Sequence, residues 1–162
     1  EMLRILNDTG VLHDIGKIGI KDEILLKAST LAPDEAKIMQ QHPAIGEAIV
    51  KPIRSLKNVG ALVLHHHEHY DGTGYPSGLK GSEIPIGARI VNIADAYDSM
   101  VTDRPYRKRM SAEEAKAELR RGAGTQFDPE VVEAFVAVLQ EKEGRRGAWP
   151  ASAPRSVSPS LL

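Results

Sequence analysis

Cysteine is absent from the 162-residue sequence, which excludes a disulfide framework, a thiolate metal site and a thiol nucleophile. No charge of one sign dominates: 21 Lys and Arg stand against 22 Asp and Glu, a formal net charge of −1. A nucleic-acid polymer or a membrane surface is therefore not indicated as the main partner. No apolar run approaches the roughly 20 residues of a membrane-spanning helix. The first residues show no basic segment followed by an apolar stretch, the mark of a secretory leader. What is present is an ordinary globular composition, 41% hydrophobic and 27% charged, on a chain long enough for one domain with its own core.

Helical patterns dominate. Leu3, Ile5, Leu6, Val11, Leu12 and Ile15 form a stripe close to helical spacing. No capping Ser, Thr or Asn precedes it, the pattern expected of an edge inside a longer chain. An irregular stretch follows, and Pro33 with acids behind it opens the next helix. That helix is expected to stop at His42-Pro43, since the residue before a proline is pushed out of helical conformation. "AIGEAIVKPI" reads as a second short helix, and "SLKNVGALVLHHHEH" as a third with Leu56, Val59, Leu62 and Val63 toward the core. "YDGTGYPSGLKGSEIP" is a long glycine-rich loop. "IGARIVNIADAYDSMV" returns to helical periodicity through Ile90, Ile93, Ala94, Tyr97 and Val101. Ser111 and Glu114 make a capping box for one helix, and Asp128-Pro129-Glu130 caps the last. From Gly144 the composition turns to Pro, Ser, Gly and Ala, which reads as a disordered tail over 144–162 containing Trp149. The fold class expected is all-α, a compact helical bundle over residues 1–143.

Histidine and aspartate recur at the edges of these stripes: His13-Asp14, His42, His66-His67 and Asp95. Neutral imidazole suits Fe, Mn, Co, Ni or Zn, and a carboxylate adds charge and can bridge two ions. A helical bundle can aim such groups at one point. Each alone is as readily a core-edge residue, and spacing alone goes no further than a plausible His/Asp metal site. The run His65-His66-His67 is internal, between a helix and a glycine loop, so it does not read as a purification tag.

Two motifs carry a resemblance. "LHDIGKIGI" holds His13-Asp14 and Lys17, and "HHEHYDGTGYPSGLKGSEIPIGARIVNIADAYDSM" holds Gly74-Tyr75-Pro76. With "QQHPAIGEAI" and "TDRPYRK", the stretch from Leu3 to Leu139 resembles the HD-GYP family of metal-dependent cyclic-di-GMP phosphodiesterases. The resemblance implies a helical bundle of the HD-domain type with a long GYP loop. It also implies two divalent metals, Fe or Mn foremost, with Zn, Co or Ni as others. His13, Asp14, His42, His66, His67 and Asp95 match the family's ligands, with Asp14 in the bridging place. His65 and His69 do not match. Lys17 matches a lysine near substrate phosphate, so Asp14 and Lys17 are the expected catalytic pair. Arg104 and Arg107 match basic positions that meet substrate phosphates. Gly74, Tyr75 and Pro76 are the signature loop.

The family carries a further ligand histidine on a preceding helix, so the resemblance implies that the first helices of the domain lie upstream of Glu1. The activity implied is hydrolysis of cyclic-di-GMP to pGpG and/or GMP by a cytoplasmic bacterial signalling protein. Diguanylate cyclase domains are possible partners through the GYP loop. Two other readings stand beside it. One is an HD phosphohydrolase acting on another nucleotide; the other is a non-catalytic module that senses cyclic-di-GMP or docks a protein.

Overall fold

A computed structural model describes residues 1–103 and 108–147 of the chain. These residues are all-α, with no strand among them. Helix α1 (Met2–Leu12) turns Ile5 and Leu12 inward. Leu3 and Val11, expected on the buried stripe, are 83% and 76% exposed. They lie on the opposite side of the helix from the face that α5 and α6 cover.

The segment expected to be irregular is partly ordered, as a 3-10 turn (Ile15–Gly19) and a short helix α2 (Asp22–Leu25). Helix α3 (Pro33–Met39) opens on Pro33 as anticipated, and its Glu35 carboxylate accepts from the Ala32 N–H at 2.7 Å. His42 is a correction. It does not end α3 but opens the next helix, α4 (His42–Val50), with Pro43 as its second residue. A proline in the first turn needs no N–H partner there, so His42-Pro43 starts a helix more readily than it stops one.

Helix α5 (Lys57–His65) buries Val59, Leu62 and Val63. The long loop follows, with Gly72 and Gly78 at φ of 86° and 68°, which side-chain-bearing residues adopt at a cost. Helix α6 (Ile86–Val101) buries Ala88, Val91, Asn92, Ile93 and Met100. Ala94, part of the helical periodicity of this segment, is exposed. Helix α7 (Ala112–Arg121) has its capping box: the Ser111 hydroxyl accepts from the Glu114 N–H at 3.2 Å, and Glu114 accepts from the Ser111 N–H at 2.8 Å. Helix α8 (Pro129–Gly147) is capped by Asp128, which accepts from the N–H of Glu130 at 2.9 Å. It runs on to Gly147, past the point where a tail was expected. Residues 148–162, Trp149 among them, lie outside the described residues.

Two packed regions flank the site-bearing elements. Ile93, Met100, Leu119, Phe127, Val132 and Val136 join α6, α7 and α8. Val50, Val59 and Val63 join α4 and α5 and pack against Ile5, Leu12 and Ile15. Between them the 3-10 turn crosses α4 at a glycine. A Cβ on Gly16 would stand 1.9 Å from the His42 carbonyl oxygen and 2.5 Å from the Gly46 nitrogen. That contact sets the distance between the chain segment carrying Asp14 and the helix carrying His42.

Candidate metal centre

The expected residues arrive at one place from four parts of the chain. His13 caps the end of α1 and Asp14 follows it. His42 opens α4, His66 caps the end of α5 with His67 next, and Asp95 is on α6. One donor atom from each of Asp14, His42, His66 and His67 lies within 4.8 Å of all the others. His13 and Asp95 stand beside this group. The His13 Nε2 is 3.6 Å from an Asp14 oxygen and 3.7 Å from an Asp95 oxygen. Of the sequence's six histidines, His65 and His69 turn elsewhere: His65 to Glu68 at 3.3 Å, and His69 to the Thr73 hydroxyl at 3.0 Å.

Ring protons are fixed by the backbone. Nδ1–H of His13, His42 and His66 donates to the carbonyls of Gly10, Met39 and Val63 at 2.8, 2.8 and 2.7 Å. A carbonyl can only accept, so each Nδ1 carries the hydrogen. Burial holds His42 below its ordinary pKa, pushes His66 to about 4 and His67 to about 3. These rings are therefore neutral near pH 7, and Nε2 of His42 and of His66 present bare lone pairs. The two nitrogens face each other at 3.4 Å with no hydrogen to place between them. Two buried lone pairs at that distance repel unless an electrophile lies close by. Nδ1 bonded to a backbone carbonyl with Nε2 free is also the arrangement of a metal-ligating histidine. The donor set thus fits a divalent cation of the imidazole-preferring kind.

The carboxylates fit as well. Burial would raise the Asp14 carboxyl, but the Lys17 ammonium at 2.5 Å, with His13 and His42 nearby, holds it below the ordinary carboxylate range. Asp95 is held low by its hydrogen bond with His13. Conversely, the bond with Asp95 raises His13, against the opposing effect of burial. Tyr75 of the loop lies against His67 with ring centroids 5.0 Å apart. Burial first, then the charges of Asp14 and Asp95, push its hydroxyl up to about 12. Lys17 is at the mouth, its side chain 37% exposed. Arg104 and Arg107 lie outside the described residues. The sequence reading passed over Glu68 and Asn92, both buried, which hold the turn bearing His66 and His67. A glutamate directly after two candidate ligands was the available signal.

Residues 3–131 match the HD domain, and the chain belongs to that family. It is 50% identical over 132 residues to a cyclic di-GMP phosphodiesterase of Thermotoga maritima, covering 80% of this chain and 36% of that protein. Identity is 40% over 157 residues to the cyclic di-GMP phosphodiesterase response regulator RpfG of Xanthomonas campestris pv. campestris, covering 96% and 42%. The 3'3'-cGAMP-specific phosphodiesterase 3 of Vibrio cholerae is 37% identical over 134 residues, covering 83% and 29%. The chain spans less than half the length of these curated relatives. Among solved structures, a cyclic GMP-AMP specific phosphodiesterase of V. cholerae (V-cGAP3) shares the fold, with a TM-score of 0.69 at 22% identity. That likeness covers 92% of this chain and 41% of the other. Among the described residues no helix is long and apolar enough to cross a membrane.

Proposed function

We propose that this domain is a metal-dependent phosphodiesterase that hydrolyses cyclic di-GMP to linear pGpG and/or GMP, as the output domain of a cytoplasmic bacterial signalling protein. The observation that carries the reading is the facing pair of unprotonated Nε2 atoms on His42 and His66 beside Asp14. Asp14, His42, His66 and His67 would hold one divalent ion, and His13, Asp95 and the shared Asp14 a second, with Fe or Mn favoured over Zn, Co and Ni. When bound, such ions acidify water and neutralise phosphate oxygens. The substrate class rests on the relatives' names, and cyclic di-GMP is named for those of higher identity.

The chain's own groups have separate tasks. Carbonyl-bound Nδ1 atoms keep His13, His42 and His66 from rotating away from the centre. Lys17 places a positive charge at the mouth, where a phosphate oxygen can meet it without displacing Asp14. Tyr75 keeps its proton throughout the neutral range, so it can donate a hydrogen bond but cannot serve as a base. The exposed rim of the loop at Pro76, Ser77 and Gly78 is where a diguanylate cyclase domain would dock on this reading.

The test is product formation from cyclic di-GMP and, in parallel, 3'3'-cGAMP, by chain loaded anaerobically with Fe(II) or Mn(II). Expected are pGpG as the first product, preference for cyclic di-GMP, and loss of turnover in Asp14→Ala and His66→Ala. Metal and nucleotide binding without any hydrolysis would move the assignment to a sensing or docking module. Faster cGAMP cleavage would move the substrate.

A further inference from the structure

We infer that Glu68 is a positioning residue for this centre: it fastens the glycine loop to the His66–His67 turn, and so sets how Tyr75 orients the His67 ring. The inference rests on the reading above that the cluster binds metal. Glu68 is 1% exposed, yet its carboxylate does not point at the centre. One oxygen accepts from the Ser77 N–H at 2.8 Å and from His65 Nδ1 at 3.3 Å. The other accepts from the Leu79 N–H at 3.1 Å. Its backbone carbonyl accepts from the buried Asn92 amide at 2.8 Å, one turn of α6 before Asp95. A single buried residue therefore ties together the ligand-bearing turn, the loop and α6.

The loop so held presses on the same turn. The Tyr75 N–H donates to the His67 carbonyl at 3.2 Å. A Cβ on Gly74 would stand 2.2 Å from the His69 nitrogen and 2.5 Å from the His67 oxygen, so only glycine allows the approach. The His67 ring needs this support more than its neighbours do. His13, His42 and His66 are each locked by a hydrogen bond to a carbonyl, the usual way of fixing a metal-bound imidazole. Among the described residues no hydrogen bond holds the His67 ring. It is instead packed between His66 and Tyr75, at centroid distances of 4.0 and 5.0 Å. Aromatic packing here replaces the missing hydrogen bond, and Glu68 keeps the outer ring in place.

The experiment is Co(II) titration of the whole chain, read by affinity and by the visible absorption of the bound ion, which reports ligand geometry. Glu68→Gln keeps one acceptor oxygen but puts an NH2 group against a backbone N–H. Gly74→Ala forces the loop off the turn and leaves the carboxylate intact. Both variants are expected to bind Co(II) about 10–100-fold more weakly, with an altered spectrum, and Glu68→Asp should recover part of the loss. Val136→Ala, which weakens the packing of α8 without touching the loop, gives the affinity lost through stability alone. If Glu68→Gln does not fold, Gly74→Ala against Val136→Ala decides the matter. Unaltered affinity and spectrum in the loop variants, or a loss no larger than in Val136→Ala, overturns the inference alone. Failure of the unaltered chain to bind Co(II) overturns the metal reading and this inference with it.

Discussion

Gly16→Ala is the substitution whose effect the geometry forecasts most directly. The added carbon would meet the His42 carbonyl oxygen at 1.9 Å and the Gly46 nitrogen at 2.5 Å. A carbon and a carbonyl oxygen normally approach to about 3.3 Å, so the two backbones must part by roughly 1.4 Å. Neither partner is a side chain, so no change of rotamer relieves the clash. Overpacking of this kind costs about 1–3 kcal/mol, and occasionally more; with backbone on both sides, the upper end is expected. The same shift separates Asp14 from His42, now 3.4 Å apart through Oδ1 and Nε2. A displacement of about 1 Å at a reacting centre can cost around 100-fold in rate.

Gly10→Ala supplies the comparison, since a Cβ there has nothing within 4 Å and the residue is inside α1. It should stabilise by about 0.5–1 kcal/mol. Urea unfolding measures both changes, and Mn(II) binding measures the second effect of Gly16→Ala. Equal stability and equal metal affinity in the two variants would refute the crossing as the element that spaces the site.

Three further outcomes are expected. In metal-free chain, His66 and His67 titrate at about 4 and about 3 in the fold, against 6.5 when unfolded. The unfolded chain therefore takes up protons that the fold refuses. The stability they contribute is complete above pH 6.5 and is lost as pH falls from there through about 4 for His66 and about 3 for His67, on the order of 3 kcal/mol for His66 alone. His13, raised in the fold, acts in the opposite sense and offsets part of this; urea midpoints across that range check the net fall. Asp128→Ala removes the α8 cap and the partner of half-buried Arg89, whose Nε already has none among the described residues; a loss of about 3 kcal/mol or more is expected. Calorimetry should show Tm falling by roughly 2–4 °C per kcal/mol. His66→Ala should lose bound metal while His65→Ala keeps it, measured as metal content per chain. Equal losses would mean the run is read in the wrong register.

Local chemistry explains which parts of the fold could be read in advance. The Ser111 box and the Asp128 cap follow from side chains that meet nearby backbone, and such contacts are written within a few residues. Ala94 and Val11 lie on periodic stripes yet are exposed, because a stripe says that a helix has a face, not which neighbours cover it. His42 was placed at a helix end because the proline rule was applied without asking which helix the proline begins. The site residues came from motif resemblance. Spacing could not supply them, because four chain segments meet only after α1, α4, α5 and α6 have packed. Glu68 was legible as a residue but not as a fastener, since its partners Ser77, Leu79 and Asn92 are fixed by the loop's path.

The three carbonyls that hold His13, His42 and His66 belong to the final turns of α1, α3 and α5. Each helix therefore points its partially negative end at the centre, equivalent to roughly half an elementary charge per helix. The N-terminus of α4, which begins at His42, offsets one of these ends, and the remaining two still favour a cation before any side chain is counted. Side-chain substitution can alter which ion is gripped and how firmly. The attraction itself is written into the direction in which these helices run, and it persists for as long as the fold does.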